Sequence, residues 1–334
     1  VLEKSRGVGG RMATRRLQET WADHGVRYVD AQGAGLAGLI RVLLDRGILS
    51  LWTDRVYEFR PGWGLQPESD LYPRYVAPAG MTAIAKALAT RLDVRLGCRV
   101  VKLIPGETWH LVWEGMAAEV GLEARAVVIA VPAPQAHGLL LPLIGLISTE
   151  ILERLGSIGF APCLSVMAGY PQERQAVLEQ QNPTWRAITF PEDAELGWLG
   201  WDSSKRLSPG QPVLVVQSST ALAERHLETE DLEGVGRVLL GCAGDRLQLN
   251  WLNQPAWMQV HRWRYAFATQ PLQQPCFSAE SSPPLICCGD WCPGGLLGAA
   301  LSSGMAAAHQ ISHELECLAI PDLDLEQMLE KLIL

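Results

Sequence analysis

The sequence predicts an α/β fold organised around a parallel sheet, with an α+β domain inserted into it. Three observations carry that expectation. Val1-Leu2-Glu3 reads as the end of a strand and runs at once into a Gly-rich turn, Lys4 to Arg11. Ala124 to Val131 is a continuous apolar run that stops at Pro132-Ala133-Pro134, the pattern of a strand covered on both faces. After a middle stretch of separate strands, residues 285 to 317 return to strand, Gly-rich turn and helix.

The bulk properties fit that size of fold. A chain of 334 residues exceeds what one small core needs. With 48% hydrophobic and 19% charged residues it should pack rather than stay disordered. A net charge of −8 argues against a broad nucleic-acid surface, which needs clustered Lys and Arg. No apolar run approaches the roughly 20 residues of a bilayer span, and the start has no basic-then-apolar leader pattern. The expectation is therefore a cytoplasmic protein without nucleic-acid or membrane partners.

Taken in order, residues 36 to 47 have helical spacing, with Leu36, Leu39, Ile40, Leu43 and Leu44 on one face and Gly47 at the end. Residues 55 to 76 read as irregular strands, 81 to 92 as a helix, and 94 to 104 and 109 to 114 as strands. In the middle, 164–170, 185–190, 198–201 and 213–219 read as strands, with helices near 220–227 and 230–243. Pro283-Pro284 then breaks the chain before a buried strand that ends at Gly289-Asp290. A helix rich in small residues follows from about Leu297, and an amphipathic tail closes the chain. No internal repeat is visible.

The eight cysteines form no CxxC pair and have no His at metal-like spacing, so no metal is expected. Even the close trio Cys287, Cys288 and Cys292 reads as small buried hydrophobes. No Ser-His-Asp or Cys-His arrangement is evident, and no catalytic residue is assigned. His24 and His261 read as structural, hydrogen-bonded histidines. Glu3 stands where dinucleotide-binding βαβ units keep the acid that accepts from ribose hydroxyls. Gly9 and Gly10, between Arg6 and Arg11, would let a pyrophosphate approach the backbone. Spacing alone fits an ordinary Gly-rich surface turn equally well.

The run Glu3-Lys4-Ser5-Arg6-Gly7-Val8-Gly9-Gly10-Arg11-Met12-Ala13-Thr14-Arg15 closely resembles the second half of the FAD motif of renalase-like flavoproteins, in the flavin amine oxidase superfamily. Five more segments resemble that family in the same order: Asp23 to Tyr28, Gly80 to Ile84, Val131 to Gln135, His261 to Ala266 and Cys288 to Cys292. The resemblance implies a Rossmann-like, three-layer FAD-binding domain formed by 1–50, 77–140 and 285–318. It also implies a substrate domain formed by 51–76 and 141–284, with 319–334 as a helical tail.

For the site, the resemblance puts Glu3 on the adenosine ribose and Lys4 and Arg6 near the adenosine and phosphates. Gly9, Gly10 and Arg11 would lie near pyrophosphate and flavin, Tyr28 beside the isoalloxazine, and the Val100 backbone by adenine. Asp290 would bond the ribityl or phosphate region. The helix beginning at Leu297, Gly298 and Ala299 would aim its N-terminus at the flavin N1/C2 carbonyl, where reduced flavin carries negative charge. Trp263 and Tyr265 are substrate-stacking candidates, with Arg264 near substrate phosphates; ordinary core packing is the competing reading. The implied reaction moves a hydride from a dihydropyridine isomer of NAD(P)H, or from an amine-like substrate, to flavin N5, with O2 as the final acceptor. The alternative is an inactive or binding-only remnant of the fold.

Departures from the family pattern are specific. The opening strand and its GxGxxG loop are missing from this sequence, which reads as truncated, and Gly33 to Gly38 mimics such a loop without a preceding strand. Arg27 stands where the family usually has Gln, and Gly298-Ala299 where it has an acid and Gly. None of Lys4, Lys86, Lys102, Lys205 and Lys331 looks like a flavin-N5 lysine, and Lys205 is expected to be solvated or anion-binding.

Overall fold

A computed structural model describes the whole chain except residues 19, 33–34, 70, 116–120, 209, 294–295, 317–326, 328–329 and 332–334. The start of the Gly33 turn, the Gly294-Gly295 pair and nearly all of the tail lie outside the described residues.

The architecture is mixed α/β, as expected. Its largest sheet has seven strands in the order Trp257–Ala268, Phe160–Gly169, Val213–Ser218, Leu196–Trp201, Ala187–Thr189, Tyr57–Arg60 and Gly64–Pro67. Neighbours are antiparallel except where Ala187–Thr189 runs parallel to Tyr57–Arg60. Period-two alternation sorts its side chains between two cores. Leu164, Val166, Leu214 and Val216 face one core together with Leu239 and Leu240 of the helix Leu232–Leu247. That helix starts at Asp231, whose side chain accepts from the Gly234 N–H. Met167, Val213 and Val215 face a second core with Leu39 and Leu43 of the helix Leu36–Asp45 and with Ile84 of the helix Thr82–Ala89. Continuing along that second face brings Cys163 and Gln217 to the candidate site.

The expected parallel strands are present as two separate pairs. Leu2–Glu3 runs parallel to Arg95–Leu96, and Val127–Ile129 parallel to Leu285–Cys287. The long strand expected over 124–131 is shorter and differently divided. Leu122–Ala124 belongs to an antiparallel sheet with Trp109–Glu114 and Arg99–Ile104, and only Val127–Ile129 joins the parallel pair. Its two-sided cover is also absent: Val127 and Ile129 are buried, but Val128 is 45% exposed. Apolar composition alone does not say how many faces are covered, and here one face lacks a packing partner among the described residues. A third core joins these strands to the helix Ala133–Leu140 through Trp109, Leu140, Leu285 and Trp291. Two short helices, Thr149–Gly156 and Glu173–Glu179, were not read from sequence; the first buries Ile151, Leu152 and Leu155 on one face, but each spans only about two turns. No helix among the described residues is long and apolar enough to cross a membrane.

Candidate functional site

A cavity of about 530 Å³ opens where three stretches of chain converge: the Gly9–Met12 turn, residues 25 to 32, and the start of the helix Leu296–Glu314. The second face of the large sheet supplies Cys163 and Gln217, and the edge strand Trp257–Ala268 supplies Trp263, Ala266 and Phe267.

Arg11 ties this wall together. Its guanidinium meets Asp290 in a two-pronged pair, at 2.5 and 2.7 Å, and also donates to the carbonyls of Tyr265 and Ala266 at 3.2 and 3.0 Å. Bidentate, charge-assisted bonds of this kind fix orientation as well as distance. Gly9 precedes it at φ +117°, a conformation costly for a residue with a Cβ. Behind Arg11 the chain must pass Gly25, where an added Cβ would lie 1.9 Å from the Arg11 carbonyl oxygen. That oxygen accepts from the Val26 N–H at 2.9 Å.

Below this wall lies a buried cluster of four charges. Asp23 accepts from Thr14 Oγ1 at 2.6 Å and from the Met81 N–H at 2.9 Å. It also meets Arg206 at 3.0 Å and Lys205 at 3.4 Å. Asp202 pairs with the same two cations at 2.8 and 2.7 Å. Burial pushes the Asp202 carboxyl up; for Asp23 burial acts the same way, but Lys205, Arg206, Thr14 and the Met81 N–H more than offset it and hold the group low. The expectation that Lys205 is solvated is corrected. Its ammonium is fully buried between two carboxylates and beside the Trp52 ring, because the turn Asp202–Lys205 folds inward.

His24 is buried, and its Nδ1 has no hydrogen-bond partner. Its ring stacks on Trp263 at 5.2 Å and meets the His261 ring edge-on at 4.7 Å, while the Trp263 indole donates to the His24 carbonyl. Burial, followed by His261 and Arg15, pulls the His24 pKa from 6.5 to about 4. Folding therefore holds this ring neutral, and the unfolded chain binds the extra proton first. Its stability contribution is intact above pH 6.5 and is lost as pH falls to about 4, a loss of about 3 kcal/mol at most. Urea unfolding across that range should show this acid limb, to which His261, likewise pulled to about 4 by burial and then Arg15, adds; His24→Phe, which keeps the ring stack, should reduce it. An unchanged limb in the variant would assign it to other groups.

The residues singled out from sequence distribute unevenly. Gly9, Arg11, Tyr28, Trp263, Asp290, Leu297 and Gly298 line the cavity. Ala300 reaches its wall, whereas Ala299 is buried within the helix packing. Glu3, Lys4, Arg6, Gly10 and Val100 lie off this wall. Glu3 pairs in register with Leu96 and accepts from the Ser5 N–H at 2.7 Å. Arg264 is not brought to the cavity: it is exposed and paired with Glu228 at 2.5 and 2.9 Å. The Tyr265 ring packs edge-on to Phe160 at 5.8 Å. A register irregularity opposite Ala161 and Cys163 shifts this strand, so Ala266 and Phe267 reach the wall instead. Sequence reasoning missed Cys163 and Gln217, because a strand's facing direction becomes visible only when its partners are known.

The profile of flavin containing amine oxidoreductases matches residues 63–312. The chain belongs to that family. Solved structures with the same fold include a wild-type putrescine oxidase bound to putrescine (TM-score 0.65, 12% identity, 93% of each chain covered). A putative protoporphyrinogen oxidase from Exiguobacterium sp. 255-15 gives TM-score 0.68 at 13% identity, covering 94% of this chain and 92% of that one. Cyclohexylamine oxidase from Brevibacterium oxydans IH-35A gives 0.66 at 13%, covering 94% and 93%. The flavoprotein is thus an FAD-dependent oxidoreductase in fold and family. The cavity fits the ring end of that cofactor. The Gly9 turn carries no side chain to obstruct it, the Leu296–Glu314 helix starts on the wall, and the apolar side chains of Met12, Leu297 and Phe267 suit a flat ring.

Proposed function

We propose that the flavoprotein is an oxidase of renalase type. It takes a hydride from a dihydropyridine related to NAD(P)H, or from an amine-like donor, and passes the electrons to O2. When bound, FAD supplies the two-electron acceptor. In this reading Gly9, Arg11, Tyr28, Asp290, Leu297 and Gly298 hold the flavin and ribityl end, and Glu3, Lys4, Arg6, Gly10 and Val100 lie toward the adenosine end.

One observation carries the choice of donor: the described cavity wall contains no His or Lys, and its two carboxylates, Asp290 and Asp30, already accept from Arg11 and from the Gln32 N–H. Its ionisable groups include Arg11 and Arg27, the paired Asp290, and Asp30, whose Oδ1 accepts from the Gln32 N–H at 3.1 Å. The two histidines that stay neutral pack against Trp263, His24 stacked and His261 edge-on. An amine that arrives protonated would need a base, whereas a dihydropyridine expels hydride with its own nitrogen lone pair and gains aromaticity. Trp263 and Phe267 supply a flat apolar wall against which such a ring can stack.

Anaerobic mixing of the FAD-loaded protein with dihydronicotinamide isomers should bleach the flavin faster than mixing with simple primary amines. Reduction by amines alone would remove the dihydropyridine reading. Bound FAD that no donor reduces would favour the binding-only alternative.

A further inference from the structure

Arg27 is a cation on the cavity wall without a counter-ion. Arg11 is matched by Asp290, but no carboxylate comes within ion-pair distance of Arg27 among the described residues. Its Nε donates to Gln217 Oε1 at 2.7 Å, and Gln217 Nε2 donates in turn to the Gly25 carbonyl at 2.8 Å. The guanidinium lies 5.3 Å from the centre of the Trp198 ring. One edge of the fork is thereby held in place, and its two terminal nitrogens make no hydrogen bond within the described residues.

The groups that act electrostatically on Arg27 do not replace a counter-ion. They are the Cys163 thiol, which burial pushes up to about 11, the Tyr28 phenol, and Glu68, which already pairs with Arg74 at 2.9 Å. Burial accordingly pulls the Arg27 pKa below the ordinary arginine range. Desolvating an unpaired cation is costly, and a held, planar fork with open donors matches a planar anion.

We propose that Arg27 forms an anion subsite, which narrows the donor of the oxidase reading to a dihydropyridine or amine whose own carboxylate, in place of a carboxamide, the Arg27 fork receives. The inference rests on the oxidase reading only for where the reacting carbon lies. The subsite itself is a property of the cavity.

Two pairs of flat probes differ in charge but hardly in shape: nicotinate against nicotinamide, and benzoate against benzamide. Binding to the full FAD-loaded chain is read by tryptophan fluorescence and by the flavin difference spectrum. Each acid should bind about tenfold or more tighter than its amide, the size expected of charge-assisted hydrogen bonds. Arg27→Gln should remove that preference, weakening acid binding far more than amide binding. Arg27→Lys, a point charge without a fork, should keep part of it. Equal binding of acid and amide, or a preference that survives Arg27→Gln, overturns the subsite. Loss of FAD from Arg27→Gln, measured in the same samples, also overturns it by making Arg27 a cofactor ligand. Should Arg27→Gln fail to fold, the acid–amide comparison on the unaltered protein and on Arg27→Lys decides. A preference for benzoate without nicotinate binding supports the subsite while removing the dihydropyridine reading. Failure of both acids to bind overturns the subsite.

Discussion

Asp23→Ala should cost about 3–5 kcal/mol of unfolding free energy, the range for removing one partner from a buried ion pair. Asp23 holds three stretches of chain at once. It receives Thr14 across its own hairpin of strands Thr14–Leu17 and Thr20–Asp23, the Met81 N–H at the start of the helix Thr82–Ala89, and Arg206 with Lys205 from an inward-folded turn. Without it, two buried cations share Asp202 alone, and the Met81 N–H loses its acceptor. Asp23→Asn keeps oxygen as an acceptor but leaves the cluster one charge positive, so its loss should be smaller and still substantial. Urea unfolding of both variants is the measurement. A loss under about 1 kcal/mol for Asp23→Ala would mean that the cluster relaxes or hydrates instead of holding the hairpin. Because Asp23 is held low, its contribution should be present at neutral pH and fade as acid protonates it, in the same direction as the His24 limb.

Gly25→Ala should be the most damaging single-methyl change at the cavity. The new Cβ would meet the Arg11 carbonyl oxygen at 1.9 Å, with the Arg11 carbon at 2.9 Å and the Trp263 ring at 3.3 Å. Two of those obstacles are backbone, so the relief must come from moving the Gly9–Met12 turn. That movement would break the Val26 N–H bond to Arg11 and pull the guanidinium off Asp290. Overpacking costs typically 1–3 kcal/mol. Here the displaced backbone also carries the site, so we expect loss of most bound FAD at micromolar protein. Flavin absorbance retained after gel filtration, compared with that of the parent protein, tests this. Full retention would show that the Arg11 turn tolerates displacement. Gly138→Ala is the control: it lies in the helix Ala133–Leu140, off the cavity wall, and nothing lies within 4 Å of its added Cβ.

Several parts of the site were legible in sequence because local chemistry marks them. The segments that resembled the family converge physically. Asp23 accepts from Met81, Arg11 binds Asp290, the Trp291 indole donates to the Val131 carbonyl at 3.0 Å, and the Trp263 indole donates to the His24 carbonyl. The helix Leu36–Asp45 was legible from its spacing, with Gly47 at φ +65° just beyond it. Lys205 was read as solvated because charged residues in a Ser-rich turn usually are. Only the two carboxylates brought from distant parts of the chain make its burial tolerable.

By itself the sequence determined the fold class, the helix Leu36–Asp45, and the residue types at the Gly9 turn, Arg11 and Asp290 that reach the cavity. Those features are written in residue type and short-range period. The tertiary structure decided what depends on register and long-range pairing. A strand irregularity exchanged Tyr265 for Ala266 and Phe267, alternation turned Gln217 and Cys163 inward, and no carboxylate among the described residues comes within ion-pair distance of Arg27, which faces the cavity. The physical reason is that a strand's facing direction and an ion's counter-charge are properties of neighbours far away along the chain.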